Sequence, residues 1–159
     1  MATTLSPGDQ AQAVPAHDGD FAGWAHYQAM LLRAGQLHLL DRARIAEELD
    51  SLGTQEFNSL RSALTLVLQH MLKWDHQPDR RSRSWSLTIA EQRERVQDQI
   101  DDSPSLKPRQ DEARDRAYRS ARRYASVETG LQMKTFPSAC PYGWDEIMAR
   151  PFVWPGDEE

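Results

Sequence analysis

Apolar and polar positions alternate with a helical period through most of the chain. Phe21, Trp24, Tyr27 and Leu31 recur at helical spacing behind Asp20, a capping residue, and Gly35 marks the end of that first helix. A second start lies at Leu40-Asp41, where Ile45 can close a hydrophobic staple on Leu40. In "DRARIAEELDSLG" the apolar face is Ile45, Leu49 and Leu52, with Gly53 expected as a left-handed C-terminal cap. The third segment has the strongest pattern. Phe57, Leu60, Leu64, Val67, Met71 and Trp74 repeat in steps of three and four, and Leu66, Leu68 and Leu72 widen the seam, so this helix is expected at the centre. Gln77-Pro78 should end it, because proline disfavours helical geometry in the residue before it.

A fourth helix is expected from near Ser84, with Trp85, Ile89, Val96 and Ile100 on one stripe, broken at "DDSPSLKP". The fifth, from about Pro108 to Glu128, is mostly charged but has a small inward face of Ala113, Ala117, Ala121 and Tyr124, and Gly130 reads as its C-terminal stop. "TFPSACPYGWDEIMARPFVWP" holds too many prolines for a long helix and is expected as an extended strap with one helical turn near Trp144 to Met148. The pattern therefore predicts an all-α helical bundle of about five helices, the third central, closed by a proline-rich strap. Residues 1–19 read as a disordered segment, 20–150 as one helical domain and 151–159 as a tail.

Composition changes this little. At 159 residues one core is expected, covering roughly 70% of the surface that the unfolded chain exposes. A hydrophobic content of 39% beside 27% charged residues is ordinary for a soluble chain. No run approaches the roughly 18 apolar residues of a membrane span, the N-terminus lacks the features of a secretory leader, and Cys140 stands alone, so a reducing, cytoplasmic setting is expected. The net charge of −5 is uneven: residues 73–123 hold 13 Lys and Arg against 10 Asp and Glu, between acidic ends. An anionic partner would meet the middle of the chain.

Several strings in one order carry a family resemblance: "LLDRARIAEELDSLG", "LKWDHQPDRRSRSW" running into "TIAEQRERV", "DDSPSL", "ETGL" and "FPSACPYGWDEI". Together they resemble a bacterial family catalogued as domain of unknown function, family 29, over roughly residues 20 to 150. The resemblance implies a small helical bacterial domain, and it brings no activity, cofactor or catalytic residue to transfer.

Signatures of chemistry are sparse. There is no Gly-rich phosphate loop, CxxC pair, HExxH or Gly-x-Ser-x-Gly elbow, and His17, His26, His38, His70 and His76 have no ligand spacing, so no metal or cofactor is expected. Cys140 reads as a small anchor of the strap, since "ACPY" offers no neighbouring base. Periodicity instead singles out polar groups on apolar stripes: Glu48, His70, Gln92 and Arg93. The plainer expectation is an inter-helix clasp that sets bundle register; the functional one is a small pocket in which Glu48 and His70 exchange protons or hold an anion with Arg93. A second group, Arg80, Arg81 and Arg83 with Arg119, Arg122 and Arg123, is either a solvated surface or a positive face for a protein or nucleic acid, while Trp74 and Trp85 read as core plugs. A non-enzymatic interaction module is the favoured expectation, and a small enzyme or ligand-binding domain around Glu48, His70 and Arg93 the alternative.

Overall fold

The computed structural model describes residues 14–154, which form five α-helices, four short 3-10 turns and no strand. Helix α1 spans Phe21–Arg33, α2 Arg42–His76, α3 Arg83–Asp102, α4 Gln110–Thr129 and α5 Trp144–Ala149. The all-α bundle expected from the hydrophobic period is what forms. Of the segments assigned to disorder or tail, 1–13 and 155–159 lie outside the described residues, whereas residues 17–19 form a turn. The chain divides into two compact units, Met1–Ser51 and Leu52–Glu159.

In the first unit, Asp20 caps α1 by accepting from the Gly23 amide at 2.9 Å, and Gly35 leaves the helix at a φ of 69°. Trp24, Gln28 and Leu31 are its buried residues, and the Gln28 side-chain oxygen accepts from the Asp41 amide at 2.9 Å. Asp41 in turn caps α2 through the Arg44 amide.

The expected second and third helices are one. Gly53 does not take a left-handed φ, and α2 continues through it for 35 residues. A mid-helix glycine costs about 1 kcal/mol against alanine, which a helix with this much packing along its later turns can absorb. The stripe assigned to the core there is also turned outward: Leu49 and Leu52 are 63% and 55% exposed.

In the second unit, α2 and α3 run antiparallel, with Gln99 bonded to Ser59 near one end and Lys73 over the Trp85 ring near the other. Helix α4 runs parallel to α2, from Arg116 over Phe57 to Lys73 on Glu128 at 2.7 Å. The core is the expected seam of α2, from Phe57 to Leu72, joined by Ile89, Val96 and Ile100 of α3 and by Ala113, Ala117 and Ala121 of α4. Small residues let α4 approach closely. Ala125 continues that face in place of Tyr124, which is 45% exposed, and Tyr118 joins it from one step away. Gly130 ends α4 at a φ of 73°.

The strap, residues 131–154, inserts Phe136, Tyr142 and Ile147 into this core. Buried backbone carbonyls need donors. The helices supply them: the Tyr118 hydroxyl donates to Pro137 at 2.8 Å, Arg122 to Met133 at 2.9 Å and Phe136 at 3.1 Å, and Arg93 to Glu146, Ile147 and Arg150 at the end of α5. Asp75 closes the arrangement, accepting from the Tyr142 hydroxyl at 2.8 Å and from both terminal nitrogens of Arg150. Burial pushes the Asp75 pKa up, but the Arg150 and Tyr142 hydrogen bonds outweigh it and hold the carboxyl below its ordinary 3.8.

Replacing Asp75 with Asn should therefore cost about 2 kcal/mol at neutral pH, because Arg150 loses its counter-charge in a half-buried site. With the folded pKa depressed, the contribution is complete above 3.8 and disappears as pH falls through the folded value. Urea unfolding of both proteins at neutral and acid pH checks this: the gap should shrink on acidification. By the same reasoning Gly53→Ala should raise stability by about 0.5–1 kcal/mol in the same assay, since nothing lies within 4 Å of an added Cβ.

Candidate functional site

Of the polar residues singled out on apolar stripes, Glu48, His70 and Arg93 are each engaged with different partners. Glu48 belongs to the first unit and His70 to the second. Glu48 accepts from His17 at 2.7 Å, and the other ring nitrogen of His17 meets Asp18 at 2.8 Å. The His17 ring also stands edge-on to Trp24 and Phe21, at centroid distances of 4.7 and 5.4 Å. His17 was missed in the sequence because its two carboxylate partners lie one and 31 positions away, a pairing without a spacing signal.

His70 bonds the Leu66 carbonyl one turn back at 2.9 Å, and burial lowers its pKa. Gln92 is buried, and its side-chain oxygen has no hydrogen-bond partner among the described residues. Arg93, beside it, is spent on the carbonyls of the strap and stacks on Phe152, its pKa lowered by burial and then by the Arg150 charge.

The arginines of the middle segment divide in the same way. Arg81 donates to the Trp74 carbonyl at 3.0 Å and lies over the Trp74 ring. Arg80 closes the 3-10 turn after α2, and Arg83 opens α3. Arg122 belongs to the strap. Arg119 and Arg123 reach a concave surface, and they do so with two arginines not singled out before. Arg61 of α2 and Arg116, Arg119, Ser120 and Arg123 of α4 line one groove between the two helices.

Spacing explains it. Arg116, Arg119 and Arg123 stand at steps of three and four on the outward side of α4, and parallel packing sets Arg61 against them. Arg116 pairs with Glu112 at 2.9 Å, but Arg61, Arg119 and Arg123 have no carboxylate partner among the described residues. The groove continues along the same two helices past Thr65, Leu66 and Gln69 on one side and Tyr124 and Glu128 on the other. Its cationic end thus leads into a partly apolar stretch and then to the Lys73–Glu128 pair. Arg61 could have been foreseen from its place one step off the α2 seam, but only the parallel α2/α4 arrangement makes it a neighbour of Arg119.

Such a surface can hold an anion or an acidic segment. The described residues contain no group of three or more His, Cys, Asp or Glu arranged to hold a metal ion, and burial raises the Cys140 thiol pKa, away from a nucleophile. None of the described helices is long and apolar enough to cross a membrane.

Built this way, the chain is a helical domain with a cationic groove between α2 and α4. The chain belongs to the family described as "Domain of unknown function DUF29", whose model matches residues 16–153. No curated protein and no solved structure matches it.

His17, held between two carboxylates, has a raised pKa, first through its bond to Asp18 and then through that to Glu48. The attachment of this turn to α2 should be complete below 6.5 and be lost as pH rises through the higher folded value. Proton NMR titration of the His17 ring should report a midpoint above 6.5, and Glu48→Gln should lower it; an unchanged midpoint would show that the Glu48 contact is not made in solution.

Proposed function

We propose that this protein is a cytoplasmic bacterial interaction module, without enzymatic activity, that docks an acidic segment of a partner protein in the groove between α2 and α4. The observation that supports the reading is the set of Arg61, Arg119 and Arg123, cations without a carboxylate partner among the described residues, in a concave surface that runs on to Leu66 and Tyr124. Arginine forks suit carboxylates, and the mixed apolar stretch beside them suits the leucine or aromatic side chains of an amphipathic peptide.

A nucleic-acid partner is favoured less. Phosphate binding draws on a broad positive surface, whereas Arg81, Arg93 and Arg122 are consumed within the fold and the chain is acidic overall. Stacking platforms are also scarce: Trp74 is buried, and Trp85 carries Lys73 over its ring. The alternative of an enzyme or ligand pocket around Glu48, His70 and Arg93 is favoured less, each of the three being bonded elsewhere.

A fluorescent peptide of alternating Glu and Leu turns, titrated by anisotropy, tests the reading. Binding should weaken with salt, and Arg119→Glu with Arg123→Glu should reduce it at least about tenfold, in line with losing two charge-assisted contacts. Binding of a DNA or RNA oligonucleotide at that groove in place of the peptide would move the reading to nucleic acid. Failure to bind either at low salt would overturn it.

A further inference from the structure

The cationic end of the α2/α4 groove is lined by hydrogen-bond donors. Arg61, Arg116, Arg119, Ser120 and Arg123 form it with no acidic side chain among them, and the neighbouring Glu112 pairs with Arg116 and Arg109 but not with the other three. Arg123 lies over the Tyr124 ring at 5.3 Å, a stacking contact that steadies the guanidinium and leaves its N–H edge for a ligand. Ser120 adds a neutral donor. A mid-helix hydroxyl either turns back to the carbonyl four residues earlier or points outward. Ser62 and Thr65 of α2 do the first, at 2.9 and 2.8 Å. The half-buried Ser120 makes no hydrogen bond with its hydroxyl among the described residues, and it stands one turn after Arg116 and one turn before Arg123.

A single carboxylate is a poor match for so many donors. It carries one charge and two coplanar oxygens, which one arginine fork satisfies. Cations and a hydroxyl that approach from two helices call for an anion of higher charge, with oxygens in three directions. A phosphate monoester, at about −1.5 to −2 charges and with three strong acceptor oxygens, has both. We infer that the segment docked in the groove is phosphorylated, its phosphoserine or phosphothreonine held by Arg61, Arg119, Arg123 and the Ser120 hydroxyl. This rests on the groove reading above and adds the chemistry of the ligand to it. The apolar stretch then sets the spacing of the peptide. Leu66 lies five residues beyond Arg61, roughly 7–8 Å along α2, a distance that an extended chain covers in about two or three residues. An apolar side chain that far from the phosphorylated residue falls beside Leu66 and Tyr124, whereas a free phosphate ion uses the cationic end alone.

Anisotropy with the full chain and one labelled peptide made in two forms, phosphoserine or glutamate at a single position followed by leucine about three places on, tests this. The phosphoserine form should bind at least about tenfold tighter than the glutamate form. Arg61→Gln should take back most of that preference, and Ser120→Ala should weaken the phosphoserine form by roughly threefold while leaving the glutamate form unchanged, both variants keeping the helical far-ultraviolet dichroism. Inorganic phosphate should displace the phosphopeptide only at concentrations at least about a hundredfold above the peptide's own Kd, because it lacks the apolar contact. Equal binding of the two forms would overturn the inference and leave the groove reading standing, whereas failure of both forms to bind at low salt would overturn the two together. Displacement by inorganic phosphate near the peptide's Kd would overturn the assignment to a phosphorylated segment.

Discussion

The second unit is organised around the need to satisfy the backbone of a strap whose own regular structure is limited to one 3-10 turn and the short helix α5. Phe136, Tyr142 and Ile147 are drawn into the core by their apolar bulk, and each takes peptide groups with it. Carbonyls withdrawn from water without donors cost more than the apolar burial gains. The helices meet the demand with long side chains. Arg93 and Arg122 reach across to five carbonyls between them, Tyr118 to a sixth, and Asp75 orients Tyr142 and Arg150 from the other side. In consequence the Tyr142 hydroxyl, buried and facing a carboxylate, has its pKa raised, and Tyr118 is pushed up to about 12.

That demand also sorts the arginines. Arg93, Arg122 and Arg150 are fixed by carbonyls or by Asp75, and Arg93 and Arg150 also stack on Phe152, so their charge is committed within the fold. Arg61, Arg119 and Arg123 instead line the groove, with no carboxylate partner among the described residues. Two faces of one helix separate them: Arg122 turns towards the strap, while Arg119 and Arg123, one turn before and one residue after, turn towards the groove.

Much of the architecture was legible in the hydrophobic period. The seam from Phe57 to Trp74, the Ile89, Val96 and Ile100 stripe and the alanine face of α4 are buried as the spacing requires, because burial is what that spacing encodes. Asp20, Gly35 and Gly130 mark helix ends for local conformational reasons and are found there. Gly53 misled, since glycine permits a left-handed cap without imposing one. The Leu49 and Leu52 stripe misled for another reason: periodicity shows that a face is apolar but not whether the same chain covers it. The groove was half legible. Arg119 and Arg123 were among the residues singled out, but their grouping with Arg61 and Arg116, and their separation from Arg81 and Arg122, depend on helix pairing and on carbonyls far away in sequence.

The central claim is that the arginine groove is the surface through which this domain meets its partner. Amide chemical-shift mapping with an acidic amphipathic peptide tests it most directly. The account predicts perturbations along α2 from Arg61 to Gln69 and along α4 from Arg116 to Tyr124, with the strap unmoved. Perturbations confined to the strap, or to α1 and its flanking turn, would contradict it.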